Sequence, residues 1–128
     1  MARTSQDVTE AELALLQALW DNGPATIRQL AEGVYGDAGA STYATVQKLL
    51  ERLEAKQCVS RDRTGSVHAF RAALDRDALI GRRLRAVADS LCGGSVAPLL
   101  THLVEREGLT DKELSELRAL VKKLDRPR

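Results

Sequence analysis

Residues 42–56, TYATVQKLLERLEAK, constrain the fold of this chain more than any other stretch. The spacing i, i+3, i+4, i+7, which marks one buried face of an α-helix, is occupied by Val46, Leu49, Leu50 and Leu53. At about 100° per residue, the opposite face carries small, hydrogen-bonding and cationic residues. These are Ala44, Thr45, Gln47, Lys48, Glu51 and Arg52. Such a face can enter a DNA major groove, and an ordinary solvated helix face is the competing interpretation.

The N-terminus of this helix is expected to be capped by Ser41 or Thr42, since either hydroxyl can accept a hydrogen bond from an unpaired backbone N–H. Two shorter helical patterns precede it. Both begin with a capping box, and a third box occurs near the C-terminus. The three boxes are Thr9–Glu12, Thr26–Gln29 and Thr110–Glu113. The first helix is expected to end at residues 22–24, Asn-Gly-Pro, and a connector over residues 35–40 leads to the polar-faced helix, which is a helix-turn-helix plan.

A β-hairpin is predicted directly after these helices. Residues 58–62 and 67–71 are short β-compatible runs, and the turn between them contains Gly65. The tip and flanks of the hairpin carry Arg61, Arg63, His68 and Arg71. Guanidinium groups suit bidentate contacts to phosphate. A helix-turn-helix followed by a basic hairpin is typical of a winged helix.

The charge and cysteine content narrow the functional classes. The net charge of +1 and pI near 7.8 do not mark a nucleic-acid binder, but residues 41–71 contain six basic and three acidic residues. Cys58 and Cys92 lack metal-binding spacing and are expected to be small buried residues rather than a redox pair. We predict no metal, no cofactor, no membrane insertion and a cytoplasmic location. The sequence has no Gly-rich phosphate loop, GxSxG or HExxH motif, so an enzyme is not expected.

The chain from residue 75 onwards reads as three helices, each with one apolar stripe and almost no aromatic residues. About fifty residues of this kind bury too little surface alone to offset their chain entropy, so we expect a partner, most simply a second copy. The predicted fold is mainly α with a small β-hairpin wing: a winged helix-turn-helix over residues 1–74 and a helical dimerisation domain over residues 75–128. The predicted dimerisation residues are Ile80, Leu84, Val87, Leu91, Leu99, Leu100, Leu103, Leu114, Leu117, Leu120, Val121 and Leu124.

Several motifs, in this order and spacing, resemble the BlaI/MecI-type repressors of penicillinase and methicillin-resistance genes. They are TEAE at residues 9–12 with Leu16 and Trp20, TVQKLLERL at residues 45–53 with Lys56, the hairpin through Arg71, and LVEREGLT at residues 103–110 followed by Glu113, Leu114 and Leu117. The resemblance covers nearly the whole chain. It implies a dimeric repressor that binds double-stranded DNA at a palindromic, inverted-repeat operator.

The resemblance also implies positions that contact DNA. Gln47 can pair bidentately with adenine, and Lys48 can reach guanine or phosphate. Arg52 has two readings, a phosphate contact or an intramolecular salt bridge. The predicted DNA contacts are Thr42, Tyr43, Ala44, Thr45, Gln47, Lys48, Arg52, Arg61, Arg63 and Arg71.

Two departures from the family bear on regulation. Staphylococcal relatives are cleaved at an Asn-Phe bond, which residues 95–102 lack, and copper-responsive relatives carry CxC motifs, which this chain lacks. The operator, the target genes, the inducing signal and a membrane sensor or protease partner are left open. So are inactivation by proteolytic cleavage and redox sensing by Cys58 or Cys92. Two alternatives remain: a winged-helix module that binds protein rather than DNA, and a regulator that responds to a small molecule.

Overall fold

The computed structural model describes residues 7–124 of the 128-residue chain. The helices and strands in chain order are α1 Glu10–Asn22, β1 Ala25–Thr26, α2 Ile27–Leu30, α3 Ala40–Ala55, β2 Val59–Asp62, β3 Ala69–Ala72, α4 Arg76–Leu91, α5 Ala97–His102 and α6 Asp111–Leu124. A π-helical turn extends α2 over Ala31–Tyr35, and another extends α5 over Leu103–Glu107. The predicted fold class, mainly helical with a small hairpin wing, is confirmed.

The capping boxes form as the sequence predicts. The Thr9 hydroxyl accepts a hydrogen bond from the Glu12 N–H at 3.2 Å, and the Glu12 carboxylate accepts one from the Thr9 N–H at 2.9 Å. The same reciprocal pair opens α2 at Thr26 and Gln29. Thr110 and Glu113 form the third pair, directly before α6. Each box satisfies two backbone groups that a helix start leaves unpaired, so these three starts are determined locally.

The sheet contains one strand that the sequence pattern did not predict. β2 and β3 pair antiparallel with Val59 opposite Ala72, and this hairpin is the predicted wing. β1 pairs with the other edge of β3, which gives the order β1-β3-β2. Two residues are too few to show alternating hydrophobicity, so β1 is recognisable only through its partner.

Contacts divide the described chain between Arg83 and Leu84, within α4. The N-terminal unit has a closed hydrophobic core from α1, α2, α3, β2 and β3. Its most deeply buried large side chains include Leu15, Leu16, Val46, Leu50, Leu53 and Phe70. Trp20 is half-buried, and its indole N–H donates to the Leu74 carbonyl at 2.8 Å. The predicted functional boundary between residues 74 and 75 remains a prediction.

The C-terminal unit is packed differently. Ala88 is its only buried hydrophobic residue among those described, and no side chain of α5 or α6 is buried. In α4 the residue that joins the core of the N-terminal unit is Leu79, while the predicted stripe of Ile80, Leu84, Val87 and Leu91 is exposed. No described helix is long and apolar enough to span a membrane.

The end of α3 has an unusual backbone conformation. Gln57 has φ +64°, the only positive φ at a described residue other than glycine. The Cys58 N–H donates to the Leu53 carbonyl at 2.8 Å, which is the hydrogen bond of a Schellman motif. Glycine is the residue that usually occupies this left-handed position, because a Cβ there costs about 1–2 kcal/mol. The motif turns the chain sharply from α3 into β2.

Candidate DNA interface

α3 is held on one side and exposed on the other. Its predicted apolar stripe is completely buried, and Ala44, Thr45, Gln47 and Lys48 are exposed on the outer face. Tyr43 is exposed and Thr42 is half-buried at the margin. The amphipathic pattern therefore places the predicted reading residues on a rigid element with their side chains in solvent. Such rigidity matters for base recognition, since the side chains must reach defined positions in a groove.

The predicted cap of α3 was wrong. The helix begins at Ala40, and its N-cap is Gly39, with no side-chain cap hydrogen bond. The Asp37 carboxylate instead accepts hydrogen bonds from the Gly39 N–H at 2.8 Å and from the Thr42 hydroxyl at 3.1 Å. The connector thus fixes the helix start from outside, so Thr42 lies within the first turn. The sequence pattern missed this because the polar residue that orders the turn lies two residues before the cap.

A groove of about 380 Å³ lies beside the outer face of α3. Its lining includes Tyr43 and Gln47 of α3, Arg28 of α2 and His68 of the wing. The structure therefore brings two predicted DNA contacts of α3 together with the wing. Arg28 was not predicted, although its position in the first turn of α2, inside the Thr26–Gln29 box, is the signal that could have found it. Its exposed guanidinium lies 3.8 Å from Glu32.

The arginines of the wing differ in exposure. The Arg61 Nη2 atom lies 3.3 Å from the Glu54 Oε1 atom, and its guanidinium lies over the Phe70 ring at 4.8 Å. Only 17% of this side chain is exposed, and its Nε atom has no hydrogen-bond partner among the described residues. Arg61 is therefore packed into the wing rather than presented by it. The sequence predicted an exposed cation here, because the contacts with Phe70 and Glu54 that bury Arg61 form only in the folded chain.

Arg63 and Arg71 are more accessible. The Arg63 Nη2 atom lies 3.5 Å from the Glu54 Oε2 atom, with 60% of the side chain exposed. Ion pairs this exposed contribute about 0–1 kcal/mol, so the Glu54 carboxylate restrains Arg63 by about 1 kcal/mol at most. The Arg71 Nε–H donates to the hydroxyl of Ser60, its partner on β2, at 3.3 Å, and the Arg71 side chain is exposed.

The loop of the wing is ordered at its start by Asp62. Its carboxylate accepts hydrogen bonds from the side chain and the backbone N–H of Thr64, at 2.7 and 2.9 Å. These two bonds lower the pKa of Asp62. β2 ends at this residue, so the loop spans residues 63–68 and is longer than the predicted turn.

The Glu12 carboxylate forms a second set of charged contacts, with Lys56 and Arg52. It is fully buried, and its oxygens accept hydrogen bonds from Lys56 at 2.7 Å and Arg52 at 3.2 Å. Burial opposes its charged form, but the hydrogen bonds from Lys56 and the Thr9 N–H, the Lys56 charge and the Arg52 bond together lower its pKa. Sequence reasoning assigned Glu12 only to a capping box. Of the two readings of Arg52, the salt bridge is present, and its contact with DNA remains a prediction.

The two cysteines and the possible metal ligands concern redox and metal chemistry rather than DNA binding. The Cys58 thiol is buried and donates to the Lys56 carbonyl at 3.7 Å, and burial raises its pKa against the charges of Arg82 and Lys56. A raised pKa disfavours the reactive thiolate. Cys92 is half-buried and not in a disulfide. Within residues 7–124, no group of three or more His, Cys, Asp or Glu side chains could hold a metal.

The predicted dimerisation residues are accessible in this single chain. Ile80, Leu84, Val87, Leu91, Leu100, Leu103, Leu120, Val121 and Leu124 are exposed, and Leu99, Leu114 and Leu117 are half-buried. Leu91 and Leu124 are the most exposed of these, at 79% and 77%. A largely apolar groove of about 320 Å³ lies between α5, its extension and α6. Exposed apolar surface is typical of interaction sites, and the assignment of these residues to a dimer interface remains a prediction.

The fold and the exposed helix define a winged helix-turn-helix protein with an attached helical unit. The sequence profile of the penicillinase repressor family matches residues 8–123, so the chain belongs to the penicillinase repressor family. This family comprises transcriptional repressors rather than enzymes, which confirms both the resemblance and the prediction that the chain is not an enzyme.

The similar proteins agree with this assignment. The transcriptional regulator BlaI of Mycobacterium tuberculosis, from the CDC 1551 / Oshkosh and H37Rv strains, is 32% identical over 117 residues, which cover 86% of this chain and 84% of that protein. A penicillinase repressor of Staphylococcus aureus is 20% identical over 121 residues, which cover 94% of this chain and 95% of the repressor. Both alignments extend over the wing and the helical unit together.

Proposed function

We propose that this repressor is a cytoplasmic homodimer that binds an inverted-repeat operator in double-stranded DNA. One observation carries the proposal: the outer face of α3 exposes Gln47 and Lys48 while the opposite face is fixed by four buried residues. Helix-turn-helix proteins insert a helix of this kind into the major groove. The wing lies beside this face, with Arg61 and His68 in the shared groove, where a groove-bound helix has phosphates within reach.

The exposed residues of α3 have distinct roles in this proposal. Gln47 pairs with adenine, and Lys48 contacts guanine or phosphate. The Thr45 hydroxyl already donates to the Ser41 carbonyl at 3.1 Å, so its methyl group is the part that suits a thymine methyl. Ala44 allows close approach of the helix to the bases. Thr42 and Tyr43 contact the DNA backbone at the start of the helix.

The remaining cations bind phosphate or support those that do. Arg71, Arg28 and Arg52 are assigned to phosphates because their side chains are exposed. Arg61 is assigned a supporting role, since its guanidinium is occupied by Glu54 and Phe70. This assignment revises the expectation from the sequence.

The dimer is supported by the apolar surface of the C-terminal unit. α6 has leucine and valine side chains on one face and none of them is buried within the single chain. A second copy related by a two-fold axis would cover this face and present two α3 helices to two half-sites. The operator is therefore expected to be an inverted repeat, with half-sites separated by about one helical turn or a multiple of it.

The proposal is tested by selecting bound sequences from a random duplex library at moderate salt while the mass of the protein in solution is measured. We expect a dimer and an enriched inverted repeat. Gln47→Ala should relax the base preference at one position per half-site, and Gln17→Ala, at an exposed position of α1, should not. A protein that enriches no sequence but retains a stable protein partner would instead be a protein-binding winged helix.

A further inference from the structure

Glu54 is the carboxylate on which two wing arginines converge. It lies in the last turn of α3, and its two oxygens face Arg61 and Arg63 at 3.3 and 3.5 Å. The helix macrodipole disfavours an acidic side chain near a helix C-terminus, so the position gains nothing from the helix itself. The favourable contacts of Glu54 are with the wing. The Glu54 side chain therefore links α3 to the hairpin that follows it.

The two arginines are held to different extents. Arg61 has one face on the Phe70 ring and is largely buried, so its pairing with Glu54 is screened little by solvent. Arg63 is mostly exposed, and no packing contact of this kind fixes it. Arg61 thus keeps the carboxylate in place, and Arg63 is the partner that becomes free to bind a phosphate when the carboxylate is removed. A DNA phosphate offers a guanidinium the same bidentate, anionic geometry as a carboxylate.

We propose that Glu54 is a positioning residue that holds Arg63 away from DNA phosphates and so limits the sequence-independent part of DNA affinity. The inference rests on the proposed function. Phosphate contacts supply most non-specific affinity, and each adds about 0.9 to the steepness with which log K falls with log salt. A single carboxylate on the wing side of α3 therefore sets how many phosphates the wing engages. Arg63, predicted from sequence as a direct contact, is in this view a contact kept in reserve.

The test uses the full chain and a random-sequence duplex, with binding measured by fluorescence anisotropy between about 50 and 200 mM salt. We compare the wild type with Glu54→Gln, Arg63→Gln and the double variant. Glu54→Gln should bind about fivefold more tightly near 0.1 M salt, and its slope should steepen by about 0.9, the contribution of one added phosphate. Adding Arg63→Gln should remove the steeper slope and the part of the gain that exceeds the effect of removing one carboxylate charge. Arg63→Gln alone should leave the wild-type slope unchanged.

Glu51→Gln is the matched control, because Glu51 is an exposed carboxylate of the same helix. It removes the same charge, so its effect on affinity should be independent of Arg63. The proposal is overturned if Arg63→Gln reduces the gain of both variants equally, or if Arg63→Gln alone flattens the wild-type slope by about 0.9. This last measurement needs no Glu54 variant, so it decides the matter even if Glu54→Gln misfolds.

The two proposals fail in different ways. A wild type that binds no duplex at any salt concentration would overturn the proposed function and this inference with it. A wild type that binds DNA while Glu54 and Arg63 act independently would overturn only the role of Glu54. Thermal unfolding of every variant, measured alongside, separates a change in phosphate contacts from a loss of folded protein.

Discussion

The N-terminal and C-terminal units of this repressor use apolar residues in opposite ways. Up to Arg83, leucines and valines from several elements meet in one closed core, and Leu15, Leu16 and Leu50 are fully buried. From Leu84 onwards the described helices also carry apolar stripes, but Ala88 alone is a buried hydrophobic residue. The difference teaches that an apolar stripe identifies a face to be covered, and does not identify what covers it. The first unit covers its stripes internally, and the second is proposed to use another copy.

The largest expected effect is the loss of a core side chain from the N-terminal unit. Leu50→Ala removes a fully buried side chain and should lower the free energy of unfolding by about 2–5 kcal/mol. Because the cavity is internal, the loss should be the same at every protein concentration. Urea unfolding at two concentrations measures it. A loss that disappears at high concentration would mean that the N-terminal core also depends on the partner.

A substitution in the exposed groove of the C-terminal unit should act on association instead. Leu103→Asp places a charge on the surface proposed to be buried in the dimer. A change at a dominant interface position lowers the binding free energy by about 2 kcal/mol or more. The dimer dissociation constant should therefore rise more than tenfold. Analytical ultracentrifugation measures that constant. Ser115→Asp, on the opposite face of α6, is the control and should leave it unchanged. Equal weakening by both changes would contradict the assignment of the interface.

A substitution at Glu12 tests whether its buried charge contributes to the stability of the N-terminal unit. Glu12→Gln should lower stability by about 1–3 kcal/mol at neutral pH, because Lys56 and Arg52 lose a buried anionic partner. The Arg52 pair contributes the smaller part of this value, because the Arg52 side chain is largely exposed and solvent screens its charge.

The pH dependence of that difference has a defined sign. The pKa of Glu12 is lower in the folded state than its ordinary value of 4.5, so the carboxylate stabilises the fold above that value. Its contribution is lost as the pH falls through the lower, folded-state pKa. The stability gap between wild type and Glu12→Gln should therefore be constant near pH 7 and shrink below about pH 4.5. A gap that persists unchanged at pH 3 would show that packing, rather than charge, accounts for it.

The smallest expected effect lies at the turn after α3. Gln57→Gly should stabilise the protein by about 1 kcal/mol, because glycine adopts the observed positive φ without the Cβ clash. Gln17→Gly, at an exposed position inside α1, is the matched control and should destabilise by about the same amount, since there glycine only adds conformational entropy to the unfolded chain. Thermal unfolding compares the two. Destabilisation by both would mean that Gln57 makes a contact worth more than its backbone strain.

Much of this repressor was determined locally by its sequence. Three capping boxes set the starts of α1, α2 and α6, because each involves only residues three positions apart. The stripe of α3 fixed which side would be buried and hence which residues would be exposed. The basic hairpin was predicted from two short runs and a glycine-containing turn, with the ends of the strands displaced by one or two residues.

Only the tertiary structure decided which charged side chains remain available for contacts with DNA. Glu12 and Arg52 are 40 positions apart, and the pairing of Arg61 with Glu54 depends on how the chain turns at Gln57. No periodicity in the sequence records such distances, so Arg61 looked as exposed as Arg71. Similarly, Leu79 and Ile80 are neighbours in one amphipathic helix, and only packing against the N-terminal core buries the first and exposes the second. Local chemistry set the elements and their faces, and long-range packing decided which polar groups and leucines those faces leave for DNA and for a partner.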